Sequence, residues 1–428
     1  MTDHRQQPPV KPFGDFSIDI PRPTILPNGV ELYVAGGGDQ EVNRIDVIHR
    51  GGVFEEMPVR LVAQAAASQL SQGTSTLSSQ DIAECFDYNG AWAGAHSTHN
   101  HTVVSLNSLN RCFGKTLPVL RDMVMAPAYP EREFQVYRNR CLSAYRTARE
   151  QVKYLAGVEM NRLFFGDDYP MSAAITDDDV NALDTEKLHR FHHKYFHAAN
   201  RTVILSGGIT DREISMVAEA FGSDSDTRQA DDLSAPGQQN GGPRHFSLVE
   251  KPDAVQSAIQ MQLPAVPRSH PDYFNLRILV TALGGYFGSR LMSNIREEKG
   301  YTYGIGSALI GMRHGGYIII STECDCAYTM PLIDEVKYEM ARLRQEPVTA
   351  HELEMVKSSM LSDLVKNLDT PFAIASNISS VILYGIYPEY FNEQIRAIRA
   401  ATPEALLDVA RRYLLDDRLY TVVAGRTS

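Results

Sequence analysis

Leu383-Tyr384-Gly385-Ile386-Tyr387-Pro388 closes a helical pattern that opens at Glu352-Leu353, and Phe164-Phe165-Gly166-Asp167-Asp168-Tyr169-Pro170 closes one that opens at Glu133-Phe134. Gly385 stands as far from Glu352 as Gly166 does from Glu133. Outward from these stretches the two copies keep step. Each runs into a helix ending at Lys194-Tyr195-Phe196 or at Arg412-Tyr413-Leu414. Each then closes with an apolar strand and a glycine, Val203-Ile204-Leu205-Ser206-Gly207 or Thr421-Val422-Val423-Ala424-Gly425. Shared order and spacing over this length mean one supersecondary plan used twice, a repeat of domain size. Ser223 to Gly242, rich in Asp, Ser, Gln and Gly, cannot bury a core and reads as a linker. The expected organisation is a first domain over 14–222, a linker over 223–243 and a second domain over 244–428.

Within each copy strands and helices mix without strict βαβ alternation. Val30–Val34 and Asn43–His49 read as neighbouring strands, Val62–Leu70 as a helix and Ala95–Leu106 as a half-exposed strand. Tyr303–Ile310 and Tyr317–Glu323 flank Arg313-His314-Gly315-Gly316, a hairpin signal. Hairpin-paired strands with long helices to cover one face predict an α+β fold, two homologous α/β sandwiches with antiparallel-rich sheets.

The chain has 428 residues, 43% of them hydrophobic, enough for two cores. Its net charge of −11 argues against a nucleic-acid partner, which selects basic surfaces. Met1 to Asp15 is polar and has no apolar h-region, so no secretory signal is expected. No stretch approaches the ~20 apolar residues of a membrane span. With Cys85, Cys112, Cys141, Cys324 and Cys326 read as reduced thiols, a cytoplasmic protein with no membrane partner is expected. Cys324-Asp325-Cys326 would place two thiols on one strand face, where a metal or redox pair is the alternative. His96, His99 and His101 crowd one apparent strand, and His189, His192, His193 and His197 one apparent helix. Solvated polar faces are the default for both groups and metal ligation the alternative. Gly284-Gly285-Tyr286-Phe287-Gly288 lacks the strand–GxGxxG–helix context of a nucleotide site.

The segment Leu283-Gly-Gly-Tyr-Phe-Gly-Ser-Arg-Leu-Met-Ser-Asn-Ile-Arg-Glu-Glu-Lys-Gly-Tyr-Thr-Tyr303-Gly resembles the second-domain signature of the pitrilysin and mitochondrial-processing-peptidase family of zinc peptidases. Gln256-Ser-Ala-Ile-Gln-Met-Gln-Leu-Pro264 resembles the strand that opens that domain, and the duplicated plan resembles the family over roughly residues 20–428. The resemblance implies two like domains closing as a clam shell. It also implies an inverted zinc motif, His-x-x-Glu-His, on a first-domain helix.

The frame of that motif is present. Gly51-Gly52 with Glu55-Glu56 is similar to the family's Gly-Ser-x-x-Glu turn, and Gly73-Thr74 to the Gly-Thr that closes the zinc helix. Counted back from Gly73, the first His position holds Gln64, the catalytic Glu position Ala67 and the second His position Ser68, while the later Glu ligand aligns with Ala144. Zinc takes three or four His, Cys or carboxylate ligands in tetrahedral geometry. Gln and Ser are poor ligands, Ala144 offers no donor atom, and Ala67 cannot act as a general base on water. No metal and no cofactor is expected in this chain.

What the resemblance supplies instead is a pair. Arg296 and Tyr303 match an Arg and a Tyr that reach the metal site in family members. Donors aimed at the carbonyl oxygen of a scissile peptide stabilise the charge that grows there. Ser289 to Lys299 reads as a helix with Gly300 as its C′ residue, which puts Arg296 in the last turn. The alternative is an Arg favoured by the helix C-terminal dipole and a Tyr packed in the sheet. Gly94-Ala95-His96-Ser97 resembles the strand that takes up extended substrate in the family, with Gly94 standing where the family has Asn. The expectation is a zinc-less subunit of a heterodimeric peptidase, needed for the metalloendopeptidase activity of the pair and inactive alone. It would lend Arg296 and Tyr303 to a homologous partner that bears His-x-x-Glu-His and the zinc, with a peptide as substrate. The competing expectation is an inactive structural, assembly or peptide-binding homologue.

Overall fold

A computed structural model describes residues 14–38, 40–56, 58–224, 228–233, 242, 244–312 and 315–427. Most of the segment read as a linker, and Arg313-His314 of the hairpin signal, lie outside the described residues. Among the described residues eleven strands form two sheets. The first is built from β1 (Thr24–Ile25), β2 (Glu31–Gly36), β3 (Val42–Arg50), β4 (Trp92–Ser97), β5 (His101–Leu109) and β6 (Arg201–Gly207). The second is built from β7 (Phe246–Glu250), β8 (Gln256–Ala265), β9 (Thr302–Gly311), β10 (Gly316–Asp325) and β11 (Tyr420–Gly425).

Their orders, β1-β2-β6-β3-β5-β4 and β7-β11-β8-β10-β9, are the same plan once β1 is set aside. In each sheet one parallel pair, β2 with β6 or β7 with β11, is followed by three antiparallel pairs. The repeat read in the sequence is therefore a repeat of topology, and the fold is α+β. Two strand readings change. β2 and β3 are not neighbours, because β6 enters between them and pairs with both. The first domain is thus closed by its last strand, a non-local pairing that no window along the chain can show. Ala95–Leu106 is not one strand but the hairpin β4–β5, reversed at Thr98–Asn100 with Thr98 N–H donating to the His101 carbonyl at 2.7 Å.

Each half has its own core: Val47, Val104, Phe113, Leu120 and Phe134 in the first, and Leu263, Leu276, Leu283, Leu291 and Ile318 in the second. The two repeat-closing helices, Val152–Phe165 and Pro371–Tyr384, contribute no fully buried residue to either core. Each crosses to the other half's sheet. Ala156, Met160 and Phe164 pack on Ala258, Val422 and Ala424 of the second sheet. Ala375 and Ile378 pack on Ala35, Ile48, Val103 and Ile204 of the first. The sheets are therefore covered on a second face, which the sequence reading left open.

The ends of these helices follow local rules. Thr370 caps the second through the Ala373 N–H, and Pro371 occupies its first turn. Gly166 at φ +91° and Gly385 at φ +60° take the backbone geometry that only glycine adopts cheaply, which stops both helices at the same place in the repeat.

Candidate functional site

In the second half, Gly284 decides the layout. A Cβ there would lie 2.7 Å from Ser307 Oγ and 2.8 Å from Ser307 N. Only glycine lets the turn after residue 283 press against β9, where Ser307 Oγ–H donates to the Val280 carbonyl at 2.8 Å. Tyr286 to Ser289 then forms a turn closed by Ser289 N–H on the Tyr286 carbonyl at 3.1 Å. The helix that follows is wound loosely: Lys299 N–H reaches back five residues to the Asn294 carbonyl at 3.1 Å. Such wide turns recur at functional sites. Gly300, at φ +65°, ends it as expected.

The buried side of this helix is fixed by charge. Asn294 Nδ2 donates to Glu335 at 3.1 Å and to Glu339 at 2.8 Å, Arg290 forms a forked pair with Glu352 at 2.7 and 3.0 Å, and Lys299 pairs with Glu335. These groups line a polar cavity of about 560 Å³. Arg296 lies outside it, half-buried, among exposed aromatic rings.

Tyr303 is 92% exposed, on the second residue of β9. It sits in a β-bulge: pairing jumps from Thr322↔Ile305 to Cys324↔Thr302, so Tyr303 and Gly304 face the single residue Glu323. A bulge re-aims side chains. This one is pinned by Thr302 Oγ1, which contacts Thr322 Oγ1 at 2.8 Å and donates to the Glu323 carbonyl at 2.6 Å. The guanidinium carbon of Arg296 lies 5.7 Å from the centre of the Tyr303 ring and 4.8 Å from that of Phe287. Each such contact at an exposed position is worth roughly 0.5–1 kcal/mol. Among the described residues no carboxylate lies within ion-pair distance of Arg296. The structure thus brings Arg296 and Tyr303 together at the surface. Phe287, which the sequence reading passed over, completes the group.

In the first half, Gln64, Ala67 and Ser68 lie on the helix Val62–Ser68, with Gln64 and Ser68 exposed one turn apart on one face and Ala67 buried. Ala144 is exposed on the helix Glu131–Ala148, and its neighbour Tyr145 directs its hydroxyl to Gln64 Oε1 at 3.5 Å. These four positions do not fit a zinc ion. The amide oxygen of Gln64 is a weak donor already facing a phenol, and Ser68 adds only a hydroxyl. Nearby Glu56 does not stand in for the missing base. Burial raises its pKa to about 7, and its two oxygens accept the N–H groups of Leu61 at 2.8 Å and Ala63 at 3.2 Å, which caps the helix. Burial also pushes the Tyr145 phenol up to about 12, with Cys141 adding to the effect.

Gly94, Ala95, His96 and Ser97 lie on β4, an edge strand paired only with β5. Ser97 Oγ–H donates to the Ala63 carbonyl at 2.9 Å, tying the edge to the Val62–Ser68 helix. Ladder bonds recur at every second residue counted from Thr98–His101, so the main-chain groups of Ala95 point away from the sheet.

The remaining candidates disperse. His99 is in the β4–β5 turn, stacked on Phe54 at 4.8 Å, while His101 is buried at the start of β5. His197 lies beyond the helix Thr185–Tyr195 and meets Asp231 at 3.2 Å, and His192 Nε2 binds the Val124 carbonyl at 2.8 Å. Cys324 is the last residue but one of β10, but Cys326 has left the strand, its thiol directed at the Val255 carbonyl at 3.4 Å. Among the described residues no group of three or more His, Cys, Asp or Glu side chains gathers to hold a metal. No helix among them is long and apolar enough to cross a membrane.

Comparison with known proteins agrees with this architecture. Residues 182–360 match a family model described as the peptidase M16 inactive domain. The chain is 22% identical over 402 residues to the uncharacterized zinc protease YmxG of Bacillus subtilis, covering 93% of this chain and 96% of that one. The crystal structure of a peptidase M16 inactive domain from Pseudomonas fluorescens superposes with a TM-score of 0.84 at 21% identity, over 95% of this chain and 98% of that one. The periplasmic protease PqqL from Escherichia coli gives 0.77 at 16% identity, over 99% of this chain but only 49% of its own length. With a repeated α+β plan, likeness to an uncharacterized zinc protease over nearly the whole chain and a match of residues 182–360 to the M16 inactive domain, the chain resembles the pitrilysin-like M16 peptidases.

Proposed function

We propose that the chain is the zinc-less subunit of a two-part metallopeptidase and lends Arg296 and Tyr303 to the zinc site of a homologous partner that carries His-x-x-Glu-His. The observation that carries this reading is the Arg296–Tyr303 pair, held at the surface by a bulge and two aromatic contacts while positions 64, 67, 68 and 144 offer no metal site of their own. This chain matches 49% of the length of PqqL, which is consistent with one such unit working beside further polypeptide of similar size.

In that complex the chemistry of this chain is electrostatic. The attacked peptide carbonyl gains negative charge on oxygen. The fixed guanidinium of Arg296 and the phenol of Tyr303 donate hydrogen bonds to it, in a geometry set before substrate arrives. The β4 edge at Gly94–Ser97 adds a peptide as an extra strand through main-chain bonds, which tolerates varied sequence. The domains are taken as 14–222 and 244–428, joined by 223–243. The setting is the cytoplasm, where the five unpaired thiols stay reduced.

The test is co-expression with a homologous chain bearing His-x-x-Glu-His, followed by peptide hydrolysis with Arg296→Ala and Tyr303→Phe. Loss of one donor lowers kcat by about 10²–10³ if the reading holds. Full activity of both variants overturns it.

A further inference from the structure

Phe287 is 63% exposed, so burial does not explain its place on the molecule. It occupies a turn closed by the Ser289 N–H, and the approach that Gly284 alone permits anchors that turn to β9. The turn and the strand that carries Tyr303 are therefore one rigid frame. Arg296, on the helix between them, has its guanidinium over both rings, nearer to Phe287. A guanidinium held over rings by cation–π contact makes no hydrogen bond to them, so its N–H donors stay available to an approaching acceptor. An Arg side chain free in water samples many rotamers, and the contacts remove much of that freedom in advance.

We propose that Phe287 is a positioning residue. It fixes the Arg296 guanidinium against Tyr303 so that the N–H edge is presented to an oxyanion. The inference rests on the donor reading of Arg296 and adds the group that aims it. It makes the shape of the aromatic ring the property that matters at position 287.

The full chain, labelled with ¹³C,¹⁵N-arginine, tests the contact without any partner. Assignment comes from Arg296→Lys. The side-chain resonances of Arg296 are expected upfield through the ring current of Phe287. Phe287→Leu, harmless to the core because the residue is exposed, removes that shift, and Phe287→Tyr keeps it. In the reconstituted pair, Phe287→Leu lowers kcat about fivefold with KM unchanged, the rate equivalent of one exposed cation–π contact, and Phe287→Tyr restores it. An Arg296 resonance indifferent to Phe287→Leu overturns the inference. So does a kcat unmoved by Phe287→Leu in a mixture that Arg296→Ala inactivates. If Arg296→Ala itself leaves the mixture at full rate, the donor reading falls and the role of Phe287 falls with it, whatever the resonances show.

Discussion

His49 is fully buried on β3, where its Nε2 accepts the Nε–H of Arg201 at 3.1 Å and its ring stacks on Phe196 at 4.5 Å. Burial, reinforced by the charge of Arg201, holds its pKa well below 6.5, and burial holds His192 near 4. Both imidazoles are thus neutral in the fold and take up protons on unfolding. Their contribution to stability is complete above pH 6.5 and is lost as pH falls from there toward 4. Urea denaturation should show a lower midpoint at pH 5 than at pH 7.5. His49→Gln, which can still accept from Arg201 but does not titrate, should recover part of the difference; equal midpoints for the unsubstituted protein would contradict this. The exposed positions that align with the family's zinc ligands make a second prediction at this scale. Because Gln64 and Ser68 share a helix face and Tyr145, beside Ala144, touches Gln64, the triple change Gln64→His, Ser68→His, Ala144→Glu should create a site that takes up one zinc per chain. Chelator competition measures it, and a triple variant that binds no zinc would show that the three positions do not converge.

Among the elements, β4 is an edge strand of the first sheet and the one proposed to take up a peptide. Ala95→Pro removes an N–H that points away from β5 and leaves the sheet's own bonds intact. It should raise KM for peptides about tenfold in the reconstituted pair, the loss of about one net hydrogen bond, while thermal stability stays close to unchanged. An unaltered KM would remove β4 from the binding surface. The elements also show what was legible in the sequence. The repeat was, because glycine stops and helix lengths are local signals. So were the Arg296 helix with its Gly300 cap and the strand carrying Tyr303. The insertion of β6 between β2 and β3, and the crossing of Val152–Phe165 and Pro371–Tyr384 to opposite sheets, were not, since both depend on contacts between residues far apart in the chain. Phe287 was passed over for a related reason. An exposed aromatic in a glycine-rich turn reads as ordinary surface until Arg296 is seen above it.

Across the whole molecule the crossed helices join the two halves into one unit. Neither sheet keeps its second apolar face covered unless the other half is folded, so unfolding should be a single transition in spite of two cores. Met160→Ala in one helix and Ile378→Ala in the other should each cost about 2–5 kcal/mol and shift that one transition without splitting it. Fluorescence and circular dichroism curves with separate midpoints would mean that the halves fold independently. On the proposed function, a unit joined in this way presents Arg296, Tyr303 and the β4 edge in fixed relation to a partner. The most direct test is peptide hydrolysis by the purified chain with excess zinc, run beside the same chain mixed with its His-x-x-Glu-His partner. The expected result is no cleavage by the chain alone and cleavage by the mixture. Zinc-dependent cleavage by the chain alone would contradict the account.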